Sequence, residues 1–270
     1  MSSLYGLYTP GETIIHRLDP RSKFLWFIVV LALSISFSDP RFNGLIYVSI
    51  IAVGLLARLT PKRFLFVAFN SLVFIVACLV FWPRRAPLQV GEVVFTIPLL
   101  NWKYTEIGLL YAFGKAFLIL NPITCMLIIL STTFPRDAVQ ATMKAGLPYK
   151  AGYIFIIALR FIPVMASETR EIVEAQMSRG LEMQRGNIIK KIKNYIPIFV
   201  PLVARMVKFT VQLAMSMESR CFGAKENRTF LHELKMKSSD YVWIACLVLA
   251  VVLGFYLRFI LGVGYIPVKW

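Results

Sequence analysis

Residues 241–262 read YVWIACLVLAVVLGFYLRFILG, twenty-two positions carrying a single charge, Arg258. A helix of that length rises about 33 Å, enough to cross a hydrocarbon core of about 30 Å. Four further apolar runs lie at approximately 24–38, 43–57, 64–82 and 107–130. No soluble core accommodates five such runs in 270 residues. The composition agrees: 58% hydrophobic and 16% charged, against about 45–50% and about 25% in soluble domains. The chain therefore reads as an all-α polytopic membrane protein with about five transmembrane helices. The first two runs are short for a bilayer. Lys23 and Arg41 can snorkel at their ends, or the pair can sit tilted in a thinned region. The SDPRFNG between them is a turn by composition. A mean hydropathy of +0.68 is lower than five spans with short loops would produce. A substantial part of the chain is expected outside the bilayer or along its surface.

Charge sets the orientation. The formal net charge is +16. Arg17, Arg21 and Lys23 precede the first run, and Arg58, Lys62 and Arg63 separate the second from the third. Residues 132–238 hold 17 Lys+Arg against 8 Asp+Glu, a net +9. With four spans before residue 132, all three groups fall on one side. By the positive-inside bias that side is cytoplasmic, and so is the N-terminus. Attraction to anionic lipid accounts for the excess positive charge. Nucleic-acid binding does not, because no basic stretch is interleaved with exposed aromatics. The opposite-side loop 83–105 alternates apolar with polar residues (LQVGEVVFTI), as a small β-hairpin would. Nothing at the N-terminus has the form of a signal peptide. Three regions follow: a membrane domain over 1–131 with four helices, an amphipathic block over 132–238 on the cytoplasmic side, and a last membrane helix over 239–270.

The middle block is too charged for a set of spanning helices and too apolar for an ordinary soluble loop. It reads as three helices. TTFPRDAVQATMKAGLP has Thr133 as N-cap, Pro135 in the first turn and Gly146-Leu-Pro148 as its stop. GYIFIIALRFIPVMASETREIVEAQMSRG is apolar at first and polar later, with Pro163 expected to bend it. The third is NIIKKIKNYIPIFVPLVARMVKFTVQLAMSMESRCFG, with Pro197 and Pro201 near its beginning. After Pro201 a polar line of Arg205, Lys208, Gln212, Ser216 and Ser219 recurs every three or four residues. This is the pattern of a helix in the interface or across other helices, one narrow face in water.

The last two helices finish alike, in EAQMSRG at 174–180 and SMESRCFG at 216–223. Any helix can end in Ser-Arg-Gly: glycine takes the left-handed conformation, and arginine complements the negative end of the helix dipole. Gln184-Arg185-Gly186 is another such pair nearby. The repetition is what distinguishes these two. Both motifs close long amphipathic helices on the side read as cytoplasmic, each presenting a guanidinium with five donors. A carboxylate or a helix C-terminus in a groove would match it. Two copies suit two equivalent sites on a dimeric partner.

These residues resemble the transmembrane T component of energy-coupling factor vitamin transporters. LDPRSKFLW at 18–26 is similar to that family's Leu-Asp-Pro-Arg-x-Lys signature, although Asp19 as N-cap and Pro20 at the first helical position also explain it locally. TTFPRDAVQATMKAGLP and IALRFIPVMASETREIVEAQMSRG resemble its first two coupling helices, and Ser-Arg-Cys-Phe-Gly its second arginine motif. The resemblance covers most of 14–223. It implies a bacterial cell-membrane protein that is not itself an enzyme. It also implies that Ser178-Arg179-Gly180 and Ser219-Arg220-Cys221 dock into grooves of two ATP-binding-cassette subunits (EcfA and EcfA'). Those subunits would bind ATP and magnesium, and a separate membrane S component would bind the substrate. Cys221 departs from the glycine or alanine expected after the second arginine.

The rest of the inventory agrees. The nearest approach to a phosphate loop runs from Gly6 to Gly11-Glu12-Thr13 and has glutamate where lysine must neutralise phosphate. Cys78, Cys125, Cys221 and Cys246 form no CxxC pair, and His16 and His232 are the two histidines, so neither a disulfide framework nor a metal centre is expected. No catalytic set is recognisable, and no cofactor is expected in this chain. Lys115 and Asn121, within an apolar run, are candidates for an intramembrane polar contact; helix packing uses such groups too, and Pro122 would kink the span. A stand-alone carrier or channel is the alternative reading, but carboxylates stay out of the central apolar runs.

Overall fold

The computed structural model describes residues 11, 13–58, 61–82, 93–97, 102–181, 188–224 and 236–260. The Arg185-Gly186 pair, His232 and all but Gly11 and Thr13 of the phosphate-loop-like string lie outside them. The described residues are helical apart from one two-stranded antiparallel sheet, in which β1 (Val93–Ile97) pairs with β2 (Trp102–Thr105). The chain is an all-α polytopic membrane protein with this one small hairpin, which falls in the 83–105 loop where alternation placed it.

The five expected spans all appear as helices: α2 (Pro20–Ser36), α3 (Pro40–Leu56), α4 (Pro61–Phe81), α5 (Glu106–Thr132) and α9 (Ser238–Phe259), with a short α1 (Ile14–Arg17) before them. Their entries follow from local chemistry. Asp19 caps α2 by accepting from Arg21 N, and Asp39 caps α3 by accepting from Arg41 N, each at 3.0 Å with proline at the next position. The Asp-Pro-Arg of SDPRFNG is thus a second helix start, where composition suggested only a turn. Thr105 caps α5 through Gly108 N. Both α2 and α3 have 17 residues, about 25 Å of rise.

The chain divides into two compact units, residues 1–145 with 234–270, and residues 146–233. In the first, α5 packs on α2, α3 and α4, while α6 (Pro135–Lys144) and α9 pack on α2. The division differs from the expected one: α6, read as the first helix of the middle block, belongs with the membrane helices. The core joins Trp26 and Val30 of α2, Ile50 of α3, Cys125, Ile128 and Ile129 of α5 and Leu247 of α9. Small residues let α5 approach closely. A Cβ on Gly114 would press on the backbone carbonyl of Ser38, between α2 and α3.

Buried polar groups tie these helices together. Asn121 is fully buried and donates to Ser34 Oγ at 3.0 Å and the Asn43 carbonyl at 3.3 Å; Asn43 donates to the Phe37 carbonyl. Lys23 Nζ donates to the Thr132 carbonyl at 3.0 Å and Thr133 Oγ1 at 3.2 Å, and Asp240 accepts from Asp19 N at 2.8 Å. Thr133 therefore does not cap α6. The N-cap is Phe134, with no side-chain bond, because the Thr133 hydroxyl faces Lys23 instead. An ammonium withdrawn from water requires such acceptors more than a helix start does.

The second unit is α7 (Tyr149–Ser178) and α8 (Ile188–Ser219). By length and composition four helices can cross a membrane: α5, α7, the Tyr195–Ser219 part of α8, and α9. The sequence reading did not place α7 and α8 among them. Their charges lie towards one end or along one line, which leaves each an apolar stretch of spanning length.

Candidate functional site: two arginine-bearing helix ends

Contacts between α7 and α8 run from Tyr149 to Gln176 along α7. Phe222, just past α8, packs on Tyr153 and Tyr149 at the start of α7, with ring centroids 4.6 and 6.1 Å apart. Midway, Arg205 of α8 is bound by Glu168 and by Glu171, the latter at 3.2 Å. Near the end of α7, Gln176 Nε2 donates to the Pro197 carbonyl at 3.2 Å. Start meets end, so the helices are antiparallel.

The prolines take part without breaking either helix. Both α7 through Pro163 and α8 through Pro197 and Pro201 continue as α-helix. Pro201 has no N–H to offer the carbonyl four residues back, which is that of Pro197. Gln176 supplies a hydrogen bond to that carbonyl instead. A proline fault in one helix thereby becomes a contact with the other.

The two Ser-Arg motifs have one backbone geometry. After α7, Gly180 N donates to the Met177 carbonyl at 2.9 Å and Leu181 N to the Gln176 carbonyl at 3.0 Å. After α8, Cys221 N donates to the Glu218 carbonyl and Phe222 N to the Met217 carbonyl, both at 2.9 Å. This paired bonding is the Schellman C-cap, in which the last helical carbonyls are closed by a left-handed residue. That residue is Gly180 at φ +87° and Cys221 at φ +54°. Arg179 and Arg220 occupy the same place, immediately before it. The Ser178 and Ser219 hydroxyls turn back to carbonyls of their own helices, Glu174 and Ser216.

Both arginines are exposed, and among the described residues neither meets a carboxylate. Because α7 and α8 are antiparallel, their C-terminal ends lie at opposite ends of the pair. The 30 residues of α7 rise about 45 Å, so the two arginine-bearing helix ends are separated by about that distance. The sequence shows two like motifs. Their separation at the two ends of one helix pair is a fact of the fold.

Cys221 in the left-handed region is strained as glycine would not be. Cys221→Gly is expected to stabilise the chain by about 0.5–1 kcal/mol after allowing for glycine's unfolded-state entropy. The check is a melting temperature in detergent raised by about 1–3 °C. An unchanged or lowered value would contradict the strain.

Other sequence candidates lie elsewhere. Lys115 is in α5, its Nζ 5.1 Å from the Tyr111 ring centroid and 5.8 Å from that of Trp82, a half-buried cation–π cluster. Asn121 belongs to the buried network of the first unit. Neither is in the unit that carries the arginines. Glu168 and Glu171 were missed, and Arg205, placed on a water-facing line, is their ion-pair partner. Their i, i+3 spacing on α7 was the available signal, but a sequence does not show which cation faces them.

This arrangement is that of a membrane protein with two exposed arginines at like helix ends. The chain matches the CbiQ family, described as cobalt transport protein, over residues 11–231. It is 32% identical over 249 residues to the energy-coupling factor transporter transmembrane protein EcfT of Thermosediminibacter oceani, covering 87% of this chain and 90% of the relative. The EcfT of Bacillus selenitireducens is 31% identical over 258 residues (92% and 94%), and that of Bacillus subtilis 29% over 265 (95% and 98%). The chain belongs to this family of transporter transmembrane proteins.

Proposed function

We propose that the chain is the membrane coupling subunit of an energy-coupling factor importer in the bacterial cell membrane, with its N-terminus in the cytoplasm. Arg179 and Arg220 each hold one ATP-binding-cassette subunit, and those subunits supply the ATP and magnesium sites. The observation that carries this reading is the pair of identical Schellman-capped arginines, about 45 Å apart on one antiparallel helix pair. A dimer of ATPases offers two like grooves at a separation, and Ser178-Arg179-Gly180 and Ser219-Arg220-Cys221 match that demand. The α7–α8 clamps (Arg205 with Glu168 and Glu171, Gln176 with Pro197) join the two helices into one lever. Closure of the ATPases on ATP moves the lever ends, as transmission between two arrangements requires. Exposed apolar side chains along the lever, among them Phe155, Ile162, Phe199, Val207 and Met215, are the surface for a substrate-binding S component and the bilayer. Vitamin uptake is the activity expected of the assembly.

One consequence is geometric. Two antiparallel helices that crossed the membrane would place their C-terminal ends on opposite faces. Docking of both arginines to cytoplasmic subunits therefore requires α7 and α8 to lie along the membrane, despite being apolar enough to span it. The exposed Cys221 and a Ser178→Cys variant, in a Cys246→Ser background, report this directly. A membrane-impermeant thiol reagent is expected to label both from the cytoplasmic side of oriented vesicles and neither from outside. Labelling of the two positions from opposite faces would sink the proposal.

A further inference from the structure

The first unit contains a cavity of about 1100 Å³ between α1, the end of α3 and the start of α9. It exceeds the roughly 300–1,000 Å³ of small-molecule pockets. The helices meet there at one end of the unit. Asp19 bonds Asp240, Trp26 packs edge-on to Trp243, and Leu33 meets Gly254, so α9 runs parallel to α2 and its start lies beside the basic end of the chain.

The walls are apolar and uncovered. Ile14 is 77% exposed, Leu56 68%, Val242 64% and Leu55 61%; Trp243 and Cys246 complete that side. Contiguous apolar surface of this kind belongs against hydrocarbon or a partner. The polar part of the lining has a definite sign. It holds Arg58, His16, Thr13 and Ser239, and no described lining residue is acidic. Arg58 is exposed, at φ +49° just beyond α3, and its N–H donates to the Leu55 carbonyl at 2.9 Å. A left-handed arginine costs backbone energy that glycine would not, and such a conformation points to a use for the side chain.

We propose that this cavity seats an anionic phospholipid, with the headgroup phosphate on Arg58 and an acyl chain along Leu55, Leu56, Val242 and Trp243. An apolar slot opening beside a guanidinium that has no carboxylate partner among the described residues, at the basic end of membrane helices, matches both halves of such a lipid. A zwitterionic lipid carries the same phosphate but adds a headgroup ammonium, which a lining with Arg58 and no described acidic residue disfavours. The site shares no residue with the arginine-bearing helix ends and stands or falls independently of them.

Trp243 is the reporter. The full chain is reconstituted in phosphatidylcholine vesicles containing, at equal mole fraction, phosphatidylglycerol or phosphatidylcholine with brominated acyl chains, which quench indole fluorescence on contact. Brominated phosphatidylglycerol is expected to quench more, with a preference of roughly fivefold, the effect of one arginine near an anionic headgroup. The excess should vanish in Trp243→Phe. It should also vanish in Arg58→Gly, a variant that suits the left-handed backbone and so keeps the fold. Equal quenching by the two lipids, a preference that survives Arg58→Gly, or an excess unchanged in Trp243→Phe would each overturn the assignment. Protection of Trp243 from both lipids would show a protein occupant instead, and overturn it equally.

Discussion

Arg179→Glu and Arg220→Glu are each expected to weaken assembly with the ATPase subunits by roughly 30-fold or more, and together to abolish it. Reversal removes a charge-assisted contact and sets a carboxylate against a surface selected for a cation. The single variants retain the other end. At about 45 Å the two ends share no contacts, so their effects should add, less the local concentration that one docked end provides for the other. The fold should not change, because neither guanidinium is paired with a carboxylate among the described residues and exposed substitutions of this kind usually shift stability by less than about 0.5 kcal/mol. Co-purification measures the outcome. A double variant that still carries intact ATPase subunits through purification, with an unchanged melting temperature, would refute docking at these ends.

Gly114→Ala is expected to destabilise the membrane unit by about 1–3 kcal/mol, the usual cost of forcing a methyl group into a packed site. The obstacle is backbone. The new methyl would meet the Ser38 carbonyl, next to the Asp39 cap that starts α3, and a carbonyl cannot rotate away as a side chain can. α5 would have to move off α3, disturbing the Asn121 bonds to Ser34 and to the Asn43 carbonyl. Gly44→Ala is the internal control. Its methyl would sit 3.8 Å from the Phe117 ring, an ordinary contact, and replacing glycine within a helix is otherwise favourable by about 0.5–1 kcal/mol. Thermal stability in detergent should fall for the first variant and hold or rise for the second. Equal melting temperatures would mean that the helices do not approach as closely as the structure places them.

What was legible in the chain was local. Asp19-Pro20-Arg21 specifies a helix start wherever it stands, because a carboxylate, a fixed φ and a free N–H lie within three residues. The same chemistry at Asp39-Pro40-Arg41 was hidden by a turn-like composition. Thr133 shows the limit of such reasoning: its sequence position suits a cap, but a buried ammonium 110 residues away in the chain takes its hydroxyl. Arg205 is similar. A polar line on an apolar helix reads as a wet face, until two glutamates from another helix occupy part of it. Charge partners across helices are set by packing, and periodicity within one helix carries no information about them.

The sequence by itself determined the class: apolar runs of membrane length, a strong excess of basic residues, and two Ser-Arg helix ends. Hydrophobic length, charge asymmetry and capping chemistry act over a few residues to a few turns, so they survive in one dimension. Only the tertiary structure decided that α7 and α8 are antiparallel, because that depends on which side chains of one helix meet which of the other. Antiparallel pairing carries the two arginines to opposite ends of one helix pair, about 45 Å apart. A motif repeated 41 positions later thereby stands at both ends of one helix pair.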